Sequence, residues 1–176
     1  RHSWYHIPFA ILIGSLCGLS GALFTKAIVF MTVNKTFFLN SWRKKHYLVN
    51  ALIFGLIVAF IGHLSSGLSF GNGAGSTTQF LDSSTDAPWY YAIAKFFGAI
   101  ASVSAGVPGG YFSTALSIGA GIGDLVHHFF DTIPLVQFYL LGMAGFLAAI
   151  TQSPITAVAM VVEMSGSSQF SLPILL

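Results

Sequence analysis

The segment with the most chemical potential in this chain carries almost no reactive side chains. Gly106-Val107-Pro108-Gly109-Gly110 separates two apolar runs, and a new run begins at Tyr111-Phe112. Pro108 stops the preceding helix, while Gly109 and Gly110 permit backbone conformations closed to other residues. This order predicts a fresh helix N-terminus. The leading N–H groups of such a helix have no intrahelical acceptor, and the dipole adds roughly half a positive charge, so an anion is the natural partner. No acidic side chain nearby competes for those donors. A field made by amides rather than by Arg holds an ion modestly, which suits an ion that must also leave. The plainer reading is that Gly109 and Gly110 only let helices pack closely. A second break, Gly71-Asn72-Gly73-Ala74-Gly75, repeats the arrangement, as paired broken helices in a transporter would. Its composition predicts that no helix survives across it.

Other candidates carry less. Lys95 adds positive charge upstream of Tyr111, but a lysine near a helix end usually snorkels to the interface, and that is the expectation. Glu163, beside a Ser-Gly-Ser-Ser run, reads as a helix-terminal carboxylate. His127 and His128 adjoin Asp131, yet successive helical side chains diverge by about 100° and share one ion poorly, so no metal site is expected. Gly18-Leu19-Ser20-Gly21 matches a short intramembrane serine protease pattern, with His63 as the candidate base. Three small residues in four arise easily in a Gly-rich helix, so Ser20 reads first as a packing residue. Cys17, the single cysteine, excludes an internal disulfide.

The elements that must position these residues are set by composition. Only 7% of the 176 residues are charged and 55% are hydrophobic, with 17 Phe; mean hydropathy is +0.79. So few charges cannot cover a water-facing surface, and the expected solvent is lipid. The net charge of +2 is scattered, which argues against nucleic acid. Apolar runs cover residues 7–33, 48–64, 89–105, 111–130, 135–150 and 154–164. The first is long enough to span, with Gly14, Ser15, Cys17, Gly18 and Gly21 giving small residues at three- and four-residue spacing on which another helix can pack. The others are short and separated by Gly and Pro, predicting broken, partly re-entrant helices. Irregular backbone at membrane depth survives only where it is buried in protein or lines an aqueous path.

On the Gly-Val-Pro-Gly-Gly-Tyr-Phe-Ser-Thr segment, the chain resembles the CLC family of chloride channels and chloride/proton exchangers. Residues 106–123 look like the family's Gly-x-Pro-Gly-Gly-x-Phe-x-Pro helix start, residues 70–81 like its Gly-rich turn, and residues 147–172 like its Ala-Ala…Pro-x-Thr…Glu-Met region. The resemblance implies an all-α, polytopic fold, residues 1–176 forming a single membrane domain that is the second half of an inverted repeat within a longer chain. It implies chloride contacts through the backbone N–H groups of Tyr111 and Phe112, with Gly109 and Gly110 shaping the turn. The family's other chloride motif and its gating glutamate are expected upstream of Arg1, and its pore tyrosine beyond Leu176. Thr114 departs from the pattern, which has Pro there, and is expected to add a donor and a hydroxyl near the site. The basic loop at Arg43-Lys44-Lys45 would lie inside by charge and outside by family topology; the family placement is preferred.

The expectation is therefore a multi-pass protein of the plasma or inner membrane that transports chloride or a similar anion. It would need neither metal nor organic cofactor, would not be an enzyme, and would form a homodimer through regions matching residues 7–33 and 135–164. The alternatives are the protease built on Ser20 and His63, or a non-conducting structural fragment.

Overall fold

A computed structural model describes residues 6–33, 46–83, 87–106, 110–130 and 134–165. The described residues hold seven helices and no strand: α1 (His6–Val33), α2 (Tyr47–Leu64), α3 (Ala74–Ser83), α4 (Tyr91–Ser104), α5 (Tyr111–His127), α6 (Leu135–Thr151) and α7 (Pro154–Ser165). Among them one helix, over Pro8–Met31, is long and apolar enough to cross a membrane by itself. The basic loop at Arg43-Lys44-Lys45, Pro108, Gly109 and Asp131 lie outside the described residues.

The core forms around α6, which packs against α5, α1 and α7 and buries Phe138, Tyr139, Met143, Phe146 and Leu147 completely or nearly so. Glycine makes the α5–α6 contact possible. A Cβ on Gly119 would lie 2.8 Å from the Met143 Cα, one on Gly123 2.7 Å from the Phe138 carbonyl carbon, and one on Gly142 2.9 Å from the Gly123 nitrogen. The two backbones touch, as small residues spaced by four allow between helices in lipid. The small-residue face expected on α1 is used in the same way. A Cβ on Gly21 would meet that of Ala149 at 2.6 Å, and one on Gly145 would meet Cys17 Cβ at 3.2 Å. The Cys17 and Gly21 part of that face therefore packs against α6 of its own chain. Gly14 and Gly18, beside it, look onto open space.

No helix runs across the second Gly-rich stretch, as expected, but one that the composition did not indicate starts inside it: α3 begins at Ala74. Gly71 and Gly73 absorb the turn with φ of +67° and +82°, values that glycine adopts without a steric penalty. The chain is helical immediately afterwards, the Thr77 N–H donating to the Gly73 carbonyl at 2.9 Å. At the other sharp reversal, Gln152 closes α6 in the left-handed region and Pro154 opens α7, where its missing N–H costs nothing.

Candidate functional site

α5 begins as its sequence requires. Gly110, at φ −74° and ψ 116°, is extended and provides no side-chain cap, and the first turn of the helix contains no acidic residue. The leading amides are therefore not served by a neighbouring side chain. Gly110, Tyr111 and Thr114 line a cavity of about 240 Å³. The second Gly-rich turn, Ser69 to Asn72, lines the same cavity, and α4 contributes Lys95, Gly98 and Ser102. Two breaks that lie far apart in the chain thus face one space. Phe112 is not among the lining side chains and is 53% exposed.

Lys95 does not snorkel. It is 1% exposed, and its Nζ donates to the carbonyls of Ser69 at 3.0 Å, Phe70 at 3.0 Å and Gly71 at 3.1 Å. The physical reason lies in the turn. Carbonyls between two helices have no ladder partner and need donors in a water-poor setting. An ammonium carries three. Thr114, whose hydroxyl donates to the Gly110 carbonyl at 3.4 Å, turns its side chain back onto its own helix start.

Three polar side chains that the sequence alone did not single out, Ser117, Tyr91 and Asp124, support this site. Ser117 lies 2.9 Å from the Thr77 hydroxyl and donates to the Ser113 carbonyl at 3.1 Å, fastening α3 to α5. The fully buried Tyr91 hydroxyl points to the same cluster, with Ser76, Thr77 and Ser117 around it. Asp124, also buried, accepts from the Tyr139 hydroxyl at 2.9 Å and from the Ala87 N–H at 3.3 Å, and lies 3.5 Å from His128 Nε2. It ties α5 to α6 and to the approach to α4. A lone carboxyl amid glycines was its only signal in the sequence.

The remaining candidates take structural roles. Ser20 Oγ, on α1, donates to the Leu16 carbonyl at 2.7 Å and reaches the Cys17 carbonyl at 3.2 Å, so its proton is directed at backbone and not at a base. His63 is exposed in the last turn of α2. Glu163 is exposed near the end of α7, as its sequence context suggests. His127 meets the Phe138 ring edge-on at 5.3 Å while His128 approaches Asp124, so the two histidines diverge.

A cavity between two Gly-rich helix breaks, with one buried cation and no acidic lining residue, agrees with what comparison of the sequence finds. The pattern that defines the voltage gated chloride channel family matches residues 1–176. The chain belongs to this family. A ClC-type voltage-gated chloride channel, ClcB, of Yersinia pestis is 40% identical over 80 residues, covering 42% of this chain and 19% of its own. ClcB of Escherichia coli is 37% identical over 126 residues, covering 65% and 29%. An H(+)/Cl(-) exchange transporter, ClcA, of Vibrio cholerae is 25% identical over 183 residues, covering 94% and 37%. The CLC chain therefore spans well under half the length of these curated relatives. No solved structure matches it. Family membership makes it part of an integral membrane protein.

Proposed function

We propose that this chain is one half of a multi-pass membrane domain, in the plasma or inner membrane, that carries chloride or a similar small anion. The pore wall would be the start of α5, with the Tyr111 and Phe112 N–H groups as ligands and Gly109 and Gly110 shaping the approach. The observation that carries this reading is the single cavity shared by Gly110, Tyr111, the Ser69 to Asn72 turn and Lys95, with no carboxylate among its lining residues. The names of the relatives, channel in two and exchange transporter in one, have chloride in common. No metal or organic cofactor enters the proposal, and the protein acts as a transporter and not as an enzyme. Its other half would be supplied by the rest of the full-length chain, and the assembly would be a homodimer.

The test is chloride efflux from liposomes holding the purified full-length protein, with a potassium ionophore to dissipate charge. Efflux well above that of empty liposomes is expected; folded protein that releases no chloride refutes the reading. Residues 1–176 alone should carry no selective flux, because one of two opposed helix sets is present. Selective flux through that piece would show that a single set suffices.

A further inference from the structure

Resting on the reading of the cavity as an anion path, we propose that Lys95 sets its selectivity for anions over cations. The carbonyls of Ser69, Phe70 and Gly71 converge on one point in the cavity wall, and Lys95 Nζ occupies it at 3.0, 3.0 and 3.1 Å. Converging backbone carbonyls are what cation filters are made of. Left bare, this wall would attract cations and repel the anion proposed to bind at the start of α5, which lines the same cavity.

The geometry fixes the charge. Three acceptors around one nitrogen require three N–H donors; a neutral amine has two and would aim its lone pair at an oxygen. The ammonium therefore cancels the carbonyl dipoles and leaves the wall net positive. No carboxylate among the lining residues offsets it. At 1% exposure the charge is poorly screened by water or salt. The turn is also shaped around the lysine: Gly73 is buried at φ +82°, and a Cβ there would collide with Ser117 Oγ and lie 2.8 Å from Lys95 Cε. The absent side chain at position 73 makes room for the lysine stem, so the cation is built into the turn.

The experiment measures reversal potentials of the full-length protein in bilayers under a potassium chloride gradient, which report the anion-to-cation permeability ratio. Lys95→Gln keeps two N–H donors for the carbonyls and removes the charge; it should lower the ratio at least tenfold. Lys95→Arg keeps the charge and should hold the ratio within about threefold. Should Lys95→Gln fail to fold, Lys95→Cys in a Cys17→Ala background, treated with an aminoethyl or an ethyl methanethiosulfonate, poses the same question; only the aminoethyl adduct should restore the ratio. A Gln variant with reduced flux and an unchanged ratio overturns the proposal, as does an Arg variant as unselective as Gln, or equal recovery with both reagents. Wild-type protein without chloride current would refute the transport reading itself, a separate outcome.

Discussion

The amide at Tyr111 can be deleted without touching the fold, because the backbone before it already has the shape that proline demands. Proline at a first helical position has a φ suited to the helix and gives up an N–H that no helical carbonyl would accept. The residue before a proline is pushed to extended conformations, and Gly110 sits at φ −74° and ψ 116°. Tyr111 is 44% exposed, so the ring surrenders little packing. Tyr111→Pro should therefore remove one donor from the cavity and little else. A hydrogen bond to a charged partner contributes about 1.5 to 3 kcal/mol, roughly 10- to 150-fold in affinity. The assay is calorimetric titration of bromide into the purified full-length protein, with anomalous diffraction from bromide-soaked crystals to locate the ion near the Tyr111 and Phe112 amides. Tyr111→Leu keeps the N–H and should bind within about twofold of wild type. If Leu weakens binding as much as Pro, the ring and not the amide holds the ion. If Pro binds like wild type, the helix start is not the site.

The rest of the architecture makes equally specific demands. Gly142→Val drives a Cβ into the Gly119 backbone and within 2.9 Å of the Gly123 nitrogen, so thermal unfolding should show a loss of at least about 1 to 3 kcal/mol, the range of core overpacking. Asp124→Ala removes the carboxylate that accepts from the buried Tyr139 hydroxyl and one of the two acceptors of the Ala87 N–H, and should cost about 1 to 3 kcal/mol, whereas Asp124→Asn keeps an accepting oxygen and should cost less in the same melt. Gly18 faces open space within its own chain, so Gly18→Trp should leave the fold intact while crosslinking reports a loss of dimer; an unaltered dimer moves the interface off this face of α1. A serine-directed fluorophosphonate should leave Ser20 unlabelled, as expected of a hydroxyl bonded to the Leu16 carbonyl.

Helix existence was legible from apolar runs and their Gly and Pro breaks, and all but one of the observed helices begin and end close to those runs. The exception, α3, was hidden because glycine composition argues against a helix, while the structure uses Gly71 and Gly73 only to enter one. The break before α5 was readable because Pro and Gly act locally. Its partner in the cavity was not, since nothing local states that Ser69 to Asn72 and the start of α5 line one space. Lys95 shows the limit most clearly. Its sequence neighbours say how far it stands from a helix end, which favours snorkelling, whereas its acceptors lie 24 to 26 positions earlier in the chain. The small-residue face of α1 was visible as a surface able to pack; that α6 of the same chain would fill part of it depended on tertiary pairing.

Why the cavity favours an anion follows from completing the polar accounts of the two breaks. Every helix interruption frees carbonyls on one side and amides on the other, and in lipid neither can turn to bulk water. At the Ser69 to Asn72 break the freed carbonyls of Ser69, Phe70 and Gly71 are answered inside the protein by Lys95. At the last turn of α4 the Ser104 carbonyl is answered by the buried Asn50 side chain at 3.1 Å, and the Ser104 hydroxyl turns to the Ile100 carbonyl at 2.7 Å. The start of α5 receives no such answer from a side-chain cap or a first-turn acid. Carbonyl demand is met from within while amide demand is left to whatever enters, so the asymmetry selects negative charge before any specific ligand is considered. Adding Asp in place of Gly110 would supply the missing cap, since Asp is among the favoured residues at that position. Because glycine is itself a tolerated cap, that substitution should stabilise α5 by only about a few tenths of a kcal/mol in thermal unfolding while lowering bromide affinity. A variant that melts higher and binds bromide undiminished would mean that the first-turn amides are not what the anion seeks.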